Sequence, residues 1–363
     1  MNKETRSLKE KIDKLYETSN LDYDEILFVV QNIFKTEYND GENLFDYICS
    51  KANEVRFRNY GNKVFLRGLI EVTNICKNDC YYCGIRCSNP NVDRYRLTRE
   101  DILECCAEGY EIGYRTFVMQ GGEDPYYDDE WMFEVIKEIR DTYPDCAITL
   151  SLGEKSYETY KKYYEAGGDR FLLRHESITE EHYQKLHPET MKLSNRLRCL
   201  KDLKDLGFQV GAGFMVGSPY QTDENLARDL AFVKEFQPHM VGIGPFIPHE
   251  DTKFKDFPHG DLNLTVLMYA MTRLLLPNCL LPATTAVASI DPNGRAKSLL
   301  AGCNVIMPNL SPRRFRKSYS LYNGKLSTGK EAAEYNDELE ADLAKIGLQV
   351  EYIRGDNIQW RRK

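Results

Sequence analysis

The sequence has no apolar run that approaches the roughly 20 residues needed to cross a bilayer. It also has no excess of basic residues, because 48 Lys and Arg stand against 56 Asp and Glu and give a net charge of -8. An acidic chain without a long basic stripe is a poor binder of nucleic acid. These absences predict a protein that binds neither membranes nor nucleic acids.

The N-terminus has no apolar segment of the kind found in secretory signals, because Met1–Lys11 is polar and charged. We therefore expect a cytoplasmic protein whose 11 cysteines stay reduced. That number is high for an intracellular chain and it is odd, so metal or cluster ligation explains it better than a disulfide framework. The 363 residues, 42% hydrophobic and 29% charged, are typical of a globular protein with two domains or one large α/β barrel.

Short apolar runs alternate with longer amphipathic stretches from about residue 64 onward, at intervals of roughly 30 residues, which is the length of one strand–helix unit. We predict that eight of these runs are strands: Val64–Thr73, Arg115–Gln120, Ala147–Leu152, Arg170–Leu173, Phe208–Met215, Met240–Ile243, Leu280–Ala286 and Asn304–Met307. Eight strand–helix repeats indicate an α/β protein with a complete (β/α)8 TIM barrel. A doubly wound open sheet has the same periodicity and is the alternative.

The barrel is predicted to carry two smaller parts. An N-terminal helical extension has a helix start at Asp22, with Glu25 three residues later. A polar, Tyr-rich C-terminal appendage is expected to pack across the barrel. The predicted boundaries are 1–55 for the extension, 56–310 for the barrel and 311–363 for the appendage.

Three cysteines follow the first predicted strand in the pattern Cys76-x3-Cys80-x2-Cys83, with Tyr82 directly before the last of them. Three thiolates on one loop can hold three corners of a [4Fe-4S] cluster, which normally takes four cysteines. The fourth iron would then have an open coordination position, as a catalytic metal site requires. A zinc site is the alternative, and Cys87 is the one further cysteine close to the loop.

Polar residues also end the second and third predicted strands. The second strand ends in Gln120, Gly121, Gly122 and Glu123. Glycines let the backbone approach a ligand, and the carboxylate beyond them can accept a hydrogen bond from an ammonium group. The third strand carries alternating hydroxyls, which point to one side of the chain. They belong to Thr149 and Ser151.

The fourth predicted strand ends in Arg174 and Glu176, which share one face of an extended chain, and Arg196 follows. Two arginines near a pocket are suited to bind a carboxylate or another anion through their forked N–H groups. An Arg beside a Glu is alternatively an ordinary salt bridge. Because these residues lie at a strand end of a predicted barrel, we expect them to bind a ligand.

The cysteine loop resembles the signature of the radical S-adenosylmethionine (SAM) superfamily. Five further motifs together resemble the HydE family of [FeFe]-hydrogenase maturases, which is similar to biotin synthase and methylornithine synthase. They are LLRHE (172–176), GAGFMVGSPYQT (211–222), MVGIGPFIPHEDT (240–252), PATTA (282–286) and NVIMPN (304–309). The resemblance runs from about Leu69 to Asn323.

The resemblance implies a barrel of the radical SAM type with one [4Fe-4S] cluster. The catalytic metal ligands would be Cys76, Cys80 and Cys83. SAM would be held by Tyr82, Gln120, Gly122, Glu123, Ser151, Arg174, Glu176, Arg196, Met307 and Tyr322. Residues facing the substrate would be Thr149, Thr284, Thr285 and Tyr319.

The implied activity is reductive cleavage of SAM to a 5'-deoxyadenosyl radical, which would mature the H-cluster of [FeFe]-hydrogenase. The implied substrate is an organometallic Fe(CO)2(CN)–cysteine precursor of the di-iron subcluster, made by a partner radical SAM maturase. Other hydrogenase maturases and an electron donor such as ferredoxin or flavodoxin would be the partners. Some family members carry a second cluster in the appendage, but no cysteine follows Cys303 here, so we expect one cluster.

Two other functions remain open from the sequence. A radical SAM mutase of the methylornithine synthase type would act on a free amino acid. A non-catalytic iron–sulfur scaffold or carrier would deliver its metal to a partner.

Overall fold

The computed structural model describes residues 3–35, 43–326 and 332–362. The helices are α1 (Lys3–Thr18), α2 (Tyr23–Asn32), α3 (Leu44–Tyr60), α4 (Arg99–Glu111), α5 (Asp129–Thr142), α6 (Tyr157–Glu165), α7 (Glu180–Leu186), α8 (Leu193–Leu206), α9 (Asp223–Phe236), α10 (Leu262–Leu275), α11 (Thr285–Ile290), α12 (Gly294–Leu300), α13 (Arg313–Arg316) and α14 (Ala332–Lys345). The strands are β1 (Lys63–Leu66), β2 (Gly68–Thr73), β3 (Thr116–Gly121), β4 (Ala147–Ser151), β5 (Arg170–Leu172), β6 (Gln209–Ala212), β7 (Met215–Val216), β8 (Met240–Val241), β9 (Gly244–Pro245), β10 (Val305–Ile306) and β11 (Gln349–Glu351). Every helix among the described residues is too short or too polar to span a bilayer.

The strands close into a parallel barrel. Six of them pair in the order β2-β3-β4-β5-β6-β8, and β10 pairs in parallel with β1. Isolated parallel pairs complete the circle: Met240 with Leu280, Pro282 with Val305, and Leu69 with Asn309. The prediction of a complete (β/α)8 barrel is therefore confirmed, and the open-sheet alternative is wrong.

Several predicted strands are shorter or divided in the structure. The first run is divided between β1 and β2 and the fifth between β6 and β7, whereas the sixth is shortened to β8, and β9 begins after the predicted end of that run. A Cβ atom on Gly213 would lie only 2.0 Å from the carbonyl oxygen of Gly242, so the two backbones approach each other where only glycine fits. The seventh run forms only isolated pairs, at Leu280 and Pro282, because proline has no N–H to extend a ladder. Its predicted end is wrong, because Thr285 and Ala286 begin α11.

The N-terminal helices cover one side of the barrel. Asp22 caps α2, because its side chain accepts from the Glu25 N–H while the Glu25 side chain accepts from the Asp22 N–H. This confirms the helix start predicted there. Helix α2 packs on α9, and α3 packs on α10. The proposed boundary at residue 55 falls inside α3, and residues 1–2 and 36–42 of the predicted extension lie outside the described residues.

The last part of the C-terminal appendage, residues 349–360, closes the end of the barrel at which the strands begin. Strand β11 pairs in parallel with β1 and adds to the edge of the barrel wall. Beyond it, Asp356 forms an ion pair with Arg170 at 2.6 Å, and the Trp360 indole donates to the carbonyl oxygen of Gly207 at 2.9 Å. Residues 327–331 and 363 of the predicted appendage lie outside the described residues.

The opposite end of the barrel, where the strands finish, is crossed by residues 318–326, which we name the strap. The Asn74 side chain donates to the Ser318 carbonyl at 2.7 Å, and the Gly84 N–H donates to the Leu321 carbonyl at 2.9 Å. The Asn323 N–H donates to a carbonyl in the loop after β9. The strap is therefore tied to loops that follow separate strands, and it lies over the mouth of the barrel.

Candidate active site

A cavity of about 360 Å³ lies beneath the strap, at the carboxyl ends of the strands. Active sites of TIM barrels lie at this end. The predicted site residues that line the cavity are Cys76, Cys80, Tyr82, Cys83, Gln120, Gly122, Glu123, Ser151, Arg174, Glu176, Arg196, Thr284, Thr285, Met307, Tyr319 and Tyr322. The structure thus brings together residues that are spread over most of the chain.

Thr149 is the predicted site residue that does not line the cavity. Its side chain is buried within β4, and its hydroxyl has no hydrogen-bond partner among the described residues. The neighbouring Ser151 does reach the cavity, because it stands at the end of the strand. A substrate role for Thr149 therefore stays a prediction that the cavity does not support.

The loop with the three cysteines is fixed by backbone hydrogen bonds to several parts of the mouth. The Lys77 N–H donates to the Glu123 carbonyl at 2.9 Å, and the Tyr81 N–H donates to the Leu186 carbonyl at 3.0 Å. At Gly84 an added Cβ atom would lie 2.2 Å from the Ser320 carbonyl oxygen, so the loop presses against the strap. The loop therefore holds its thiols at the cavity wall in a defined position.

The three thiols have the donor chemistry of a cluster site. Cys76, Cys80 and Cys83 are unpaired, and burial raises the pKa of the Cys83 thiol to about 12, so metal binding must displace its proton. Within the described ranges, no three His, Cys, Asp or Glu side chains converge as ligands of one metal ion do. In a [4Fe-4S] cluster each thiolate binds a different iron, so the three cysteines need not converge as closely as the ligands of a single metal ion do. Cys87 is exposed and does not line the cavity.

Tyr82 is held against this loop by His187. Burial lowers the pKa of His187 to about 3, so its imidazole is neutral near pH 7. Its Nδ1 lies 2.9 Å from the carbonyl oxygen of Tyr183, which can only accept, so Nδ1 carries the proton. His187 Nε2 therefore accepts from the Tyr82 hydroxyl, 3.3 Å away. No pattern in the sequence indicates this contact, because His187 lies 105 residues from Tyr82.

The Gly-Gly-Glu turn after β3 packs directly on the cysteine loop. An added Cβ atom at Gly122 would lie 2.2 Å from the Ile75 carbonyl oxygen, which explains the need for glycine. The Glu123 carboxylate is buried, accepts from the Glu154 N–H at 3.0 Å and lies 3.2 Å from the Lys77 ammonium. A fixed carboxylate thus lies beside the thiols.

Arg174 and Glu176 form an ion pair at the cavity wall, with Nη2 and Oε2 3.0 Å apart. The two atoms do not have hydrogen-bond geometry. In the part of the chain that the structure describes, Arg174 Nε, Arg174 Nη2 and Glu176 Oε2 are buried without a hydrogen-bond partner. Glu176 also has a φ of 64°, a region that non-glycine residues rarely adopt. Buried polar atoms without partners and a strained backbone are both typical of ligand sites.

Arg196 supports this pair from α8. Its Nη1 donates to the Arg174 carbonyl at 2.6 Å, and its Nε donates to a carboxylate oxygen of Glu154 at 2.6 Å. Arg196 is buried, so these contacts are shielded from water. The guanidinium and carboxylate groups left facing the cavity fit a ligand that carries a carboxylate, an ammonium and hydroxyls, as SAM does.

His175 anchors the strand end on the side away from the cavity. The Gly213 N–H donates to His175 Nδ1 at 3.3 Å, so the imidazole proton lies on Nε2, which is 3.3 Å from Asp229 Oδ1. Asp229, on α9, also accepts from the Ile178 N–H at 2.7 Å. His175 and Asp229 are both fully buried. Because His175 lies between Arg174 and Glu176, this contact positions both cavity residues.

We expect the Asp229→Ala variant to lower the free energy of unfolding by about 1–3 kcal/mol, because the Ile178 N–H loses its acceptor and His175 loses the buried carboxylate beside it. Denaturant unfolding of the purified protein measures this. The matched control is Asp205→Ala, because Asp205 pairs with Lys201 in an exposed contact. Equal stability of the two variants would contradict the anchoring role of Asp229.

Two charged residues of the cavity wall, Glu71 and Lys325, were missed in the sequence. A signal for Glu71 was available, because it shares a strand face with Leu69 and a lone carboxylate in a barrel strand is unusual. Lys325 had no such signal, because its contact with Glu71 spans 254 residues.

Comparison with known proteins agrees with this geometry. The model of the radical SAM superfamily matches residues 70–233. The [FeFe] hydrogenase maturase subunit HydE of Thermotoga maritima is 48% identical over 76% of this chain and 78% of its own length. The 3-methylornithine synthase of Methanosarcina acetivorans is 30% identical over 70% of this chain and 72% of its own length. A crystal structure of methylornithine synthase has a TM-score of 0.81 at 25% identity and covers 94% of this chain and 97% of that one.

The barrel and its cysteine loop, together with these matches, define a radical SAM enzyme. Within that superfamily the chain belongs to the family of the hydrogenase maturase subunit HydE.

Proposed function

We propose that this protein binds one [4Fe-4S] cluster and SAM and acts in the maturation of [FeFe]-hydrogenase, on an Fe(CO)2(CN)–cysteine precursor of the di-iron subcluster. The observation that carries the proposal is one cavity that joins three unpaired thiols to buried polar groups without partners at Arg174 and Glu176. Cluster and SAM must be in contact for this chemistry, and a single cavity allows that contact.

The thiolates of Cys76, Cys80 and Cys83 would hold the cluster and leave one iron open. When bound, cluster and SAM together supply the reaction in which one electron cleaves SAM into methionine and a 5'-deoxyadenosyl radical. The protein's part is to bind and orient. The SAM contacts would come from Tyr82, Gln120, Gly122, Glu123, Ser151, Arg174, Glu176, Arg196, Met307 and Tyr322, all of which line the cavity.

Three charged residues would each contact a different group of SAM. Glu123 would accept from the ammonium group, because its carboxylate is buried beside the cysteine loop. Arg174 would donate to the carboxylate of SAM or to another anionic group. Glu176 would accept from a hydroxyl or an ammonium group. Each contact replaces water with a fixed partner, which orients the sulfonium for cleavage.

The remaining cavity would hold the substrate. Thr284 and Thr285 line it at the seventh strand position, and Tyr319 lines it from the strap, where its hydroxyl accepts from Gln120 at 3.4 Å. The strap covers the mouth and would keep water away from a reactive radical. We propose that C5' of the radical bonds to the cysteine sulfur of the substrate as the sulfur–iron bond breaks, and that the unpaired electron passes to the iron.

Partners and location follow from the same proposal. A partner radical SAM maturase would supply the iron–cysteine complex, and other hydrogenase maturases would take up the product. A small reduced protein such as ferredoxin or flavodoxin would supply the electron, and the reaction would take place in the cytoplasm.

A second candidate is a mutase that acts on a free amino acid. The 30% identity to 3-methylornithine synthase and the TM-score of 0.81 support it. The 48% identity to the hydrogenase maturase subunit favours the first candidate.

Incubation of the reduced, SAM-loaded enzyme with either the iron–cysteine complex or L-lysine separates the candidates. We expect the carbonyl and cyanide infrared bands of the complex to change in step with methionine release and with transfer of the adenosyl group to the substrate sulfur, and lysine to remain unchanged. Formation of a methylornithine from lysine would establish the mutase instead. Reduced enzyme that releases no methionine from SAM with either substrate would leave only the scaffold function.

A further inference from the structure

A buried ion pair between Glu71 and Lys325 lies in the cavity wall, apart from the residues assigned to SAM and substrate. Glu71 stands in β2 with no exposed side-chain surface, and Lys325 comes from the strap with 12% of its side chain exposed. Both residues line the cavity. The Lys325 ammonium donates to Glu71 Oε1, and the Asn309 amide donates to Glu71 Oε2 at 2.9 Å.

Both side chains of the pair can form further hydrogen bonds. Within the described part of the chain, the Lys325 ammonium donates to Glu71 and to the Tyr319 carbonyl at 3.0 Å, which accounts for two of its three N–H groups. Each carboxylate oxygen of Glu71 has one such partner and can accept a second. Burial raises the pKa of Glu71, and Lys325 opposes this effect only in part. A second positive group beside Glu71 would therefore stabilise its charge.

The position of the pair separates it from the charged groups assigned to SAM. Those groups follow the second to fourth strand positions and α8. The pair stands where the first strand position meets the eighth, because Asn309 follows β10. Thr284 and Thr285 occupy the neighbouring seventh position, and the Tyr319 ring centre lies 4.6 Å from Lys325 Nζ. The pair thus lies beside the residues of the cavity wall that are predicted to contact the substrate.

A carboxylate and an ammonium group held side by side are complementary to the amine and carboxylate of an amino acid. We infer that Glu71 and Lys325 form the receptor for the amino-acid part of the substrate, with Lys325 donating to its carboxylate and Glu71 accepting from its amine. The inference rests on the proposed function, in which a cysteine is part of the substrate. It adds the residues that distinguish an amino-acid ligand from a simple thiol.

The alternative role of the pair is purely structural, because Lys325 also ties the strap to the barrel. The two roles differ in a measurable way. Loss of a contact that only holds the strap would displace the residues around the opening of the cavity, so the affinities for SAM and for the substrate would fall together. Loss of a receptor lowers the affinity only for ligands that carry the matching group.

The test measures binding to the cluster-reconstituted, SAM-loaded enzyme by isothermal titration under anaerobic conditions. The probes are S-methyl-L-cysteine, 2-(methylthio)ethylamine, which lacks the carboxylate, and 3-(methylthio)propanoate, which lacks the amine. We expect the wild-type protein to bind S-methyl-L-cysteine at least about tenfold more tightly than either truncated probe, because a site built for a polar group rejects ligands without it.

The Lys325→Met variant should bind S-methyl-L-cysteine no better than wild-type protein binds 2-(methylthio)ethylamine, with unchanged affinity for the latter. Glu71→Gln should lower only the affinity for ligands with an amine. Lys317→Met, an exposed lysine on the preceding loop, is the matched control and should behave as wild type. The inference would be overturned if Lys325→Met still bound S-methyl-L-cysteine tenfold more tightly than 2-(methylthio)ethylamine. It would also be overturned if the affinity of this variant for SAM fell as much as its affinity for S-methyl-L-cysteine.

The outcome is separable from that of the proposed function, because probe binding requires no electron and no SAM cleavage. Wild-type enzyme that discriminates among the probes but leaves the iron–cysteine complex unchanged would refute the proposed substrate and keep the receptor. Enzyme that transforms the complex but does not discriminate among the probes would refute the receptor alone.

Discussion

The Cys83→Ser variant is expected to lose both its cluster and its ability to cleave SAM. The wild-type protein should bind about four irons per chain, because one loop supplies the three thiolates of a single [4Fe-4S] cluster. Serine replaces a soft thiolate with a hard oxygen donor, and two thiolates alone do not retain the cluster. Iron content and 5'-deoxyadenosine yield after anaerobic reconstitution measure the two losses.

Cys87→Ser is the matched control, because Cys87 lies four residues beyond Cys83, is exposed and does not line the cavity. It should keep full iron content and full SAM cleavage. A fourth thiolate on the open iron would close the position that SAM needs. If Cys87→Ser lost iron as completely as Cys83→Ser, the assignment of the three ligands would be wrong.

The Arg174→Ala and Glu176→Ala variants are expected to bind SAM about 2–5 kcal/mol more weakly, which corresponds to an increase in Kd of about 30- to 5,000-fold. Each substitution removes a charged partner from a largely desolvated contact and leaves the other charge unpaired. Arg174 should fall at the lower end of this range, because 29% of its side chain is exposed. Equilibrium binding of SAM to the oxidised, reconstituted enzyme gives the Kd without turnover.

Iron content should be unchanged in both variants, since neither residue belongs to the cysteine loop. Arg198→Ala provides the control, because Arg198 on α8 forms an exposed pair with Asp202 and does not line the cavity. Its Kd for SAM should equal that of the wild type. An unaltered Kd in Arg174→Ala and in Glu176→Ala would mean that the two residues form a structural ion pair and nothing more.

The barrel could be predicted because its signal is local and repeats along the chain. Each strand is an apolar run with a helix after it, and both parts are visible in a short window of sequence. The division of the fifth run between β6 and β7 was not predictable in this way. It depends on the contact between Gly213 and Gly242, which brings together two backbones from different repeats.

The candidate site was predictable where its residues sit in short motifs. Cys76, Cys80 and Cys83 are separated by fixed spacings, and Arg174 and Glu176 lie at one strand end. The contacts that orient them were not predictable. His187 reaches Tyr82, Asp229 reaches His175 and Lys325 reaches Glu71 only through the closed barrel and the strap. Such contacts arise from tertiary packing and leave no periodic pattern in the sequence.

Thr149 shows the limit of strand alternation as a guide. Alternation places Thr149 and Ser151 on one face of β4, but in the structure only Ser151 lines the cavity. Depth along the barrel axis decides which residue meets the ligand, and sequence spacing does not give that depth.

The measurement that tests the central claim most directly is the formation of 5'-deoxyadenosine by the wild-type protein. The protein is reconstituted anaerobically with iron and sulfide, mixed with SAM and reduced with dithionite. We predict deoxyadenosine and methionine in equal amounts, with none from a variant in which Cys76, Cys80 and Cys83 are all replaced by serine. A wild-type protein that binds its cluster and SAM yet forms no deoxyadenosine would contradict the assignment of this cavity as a radical SAM active site.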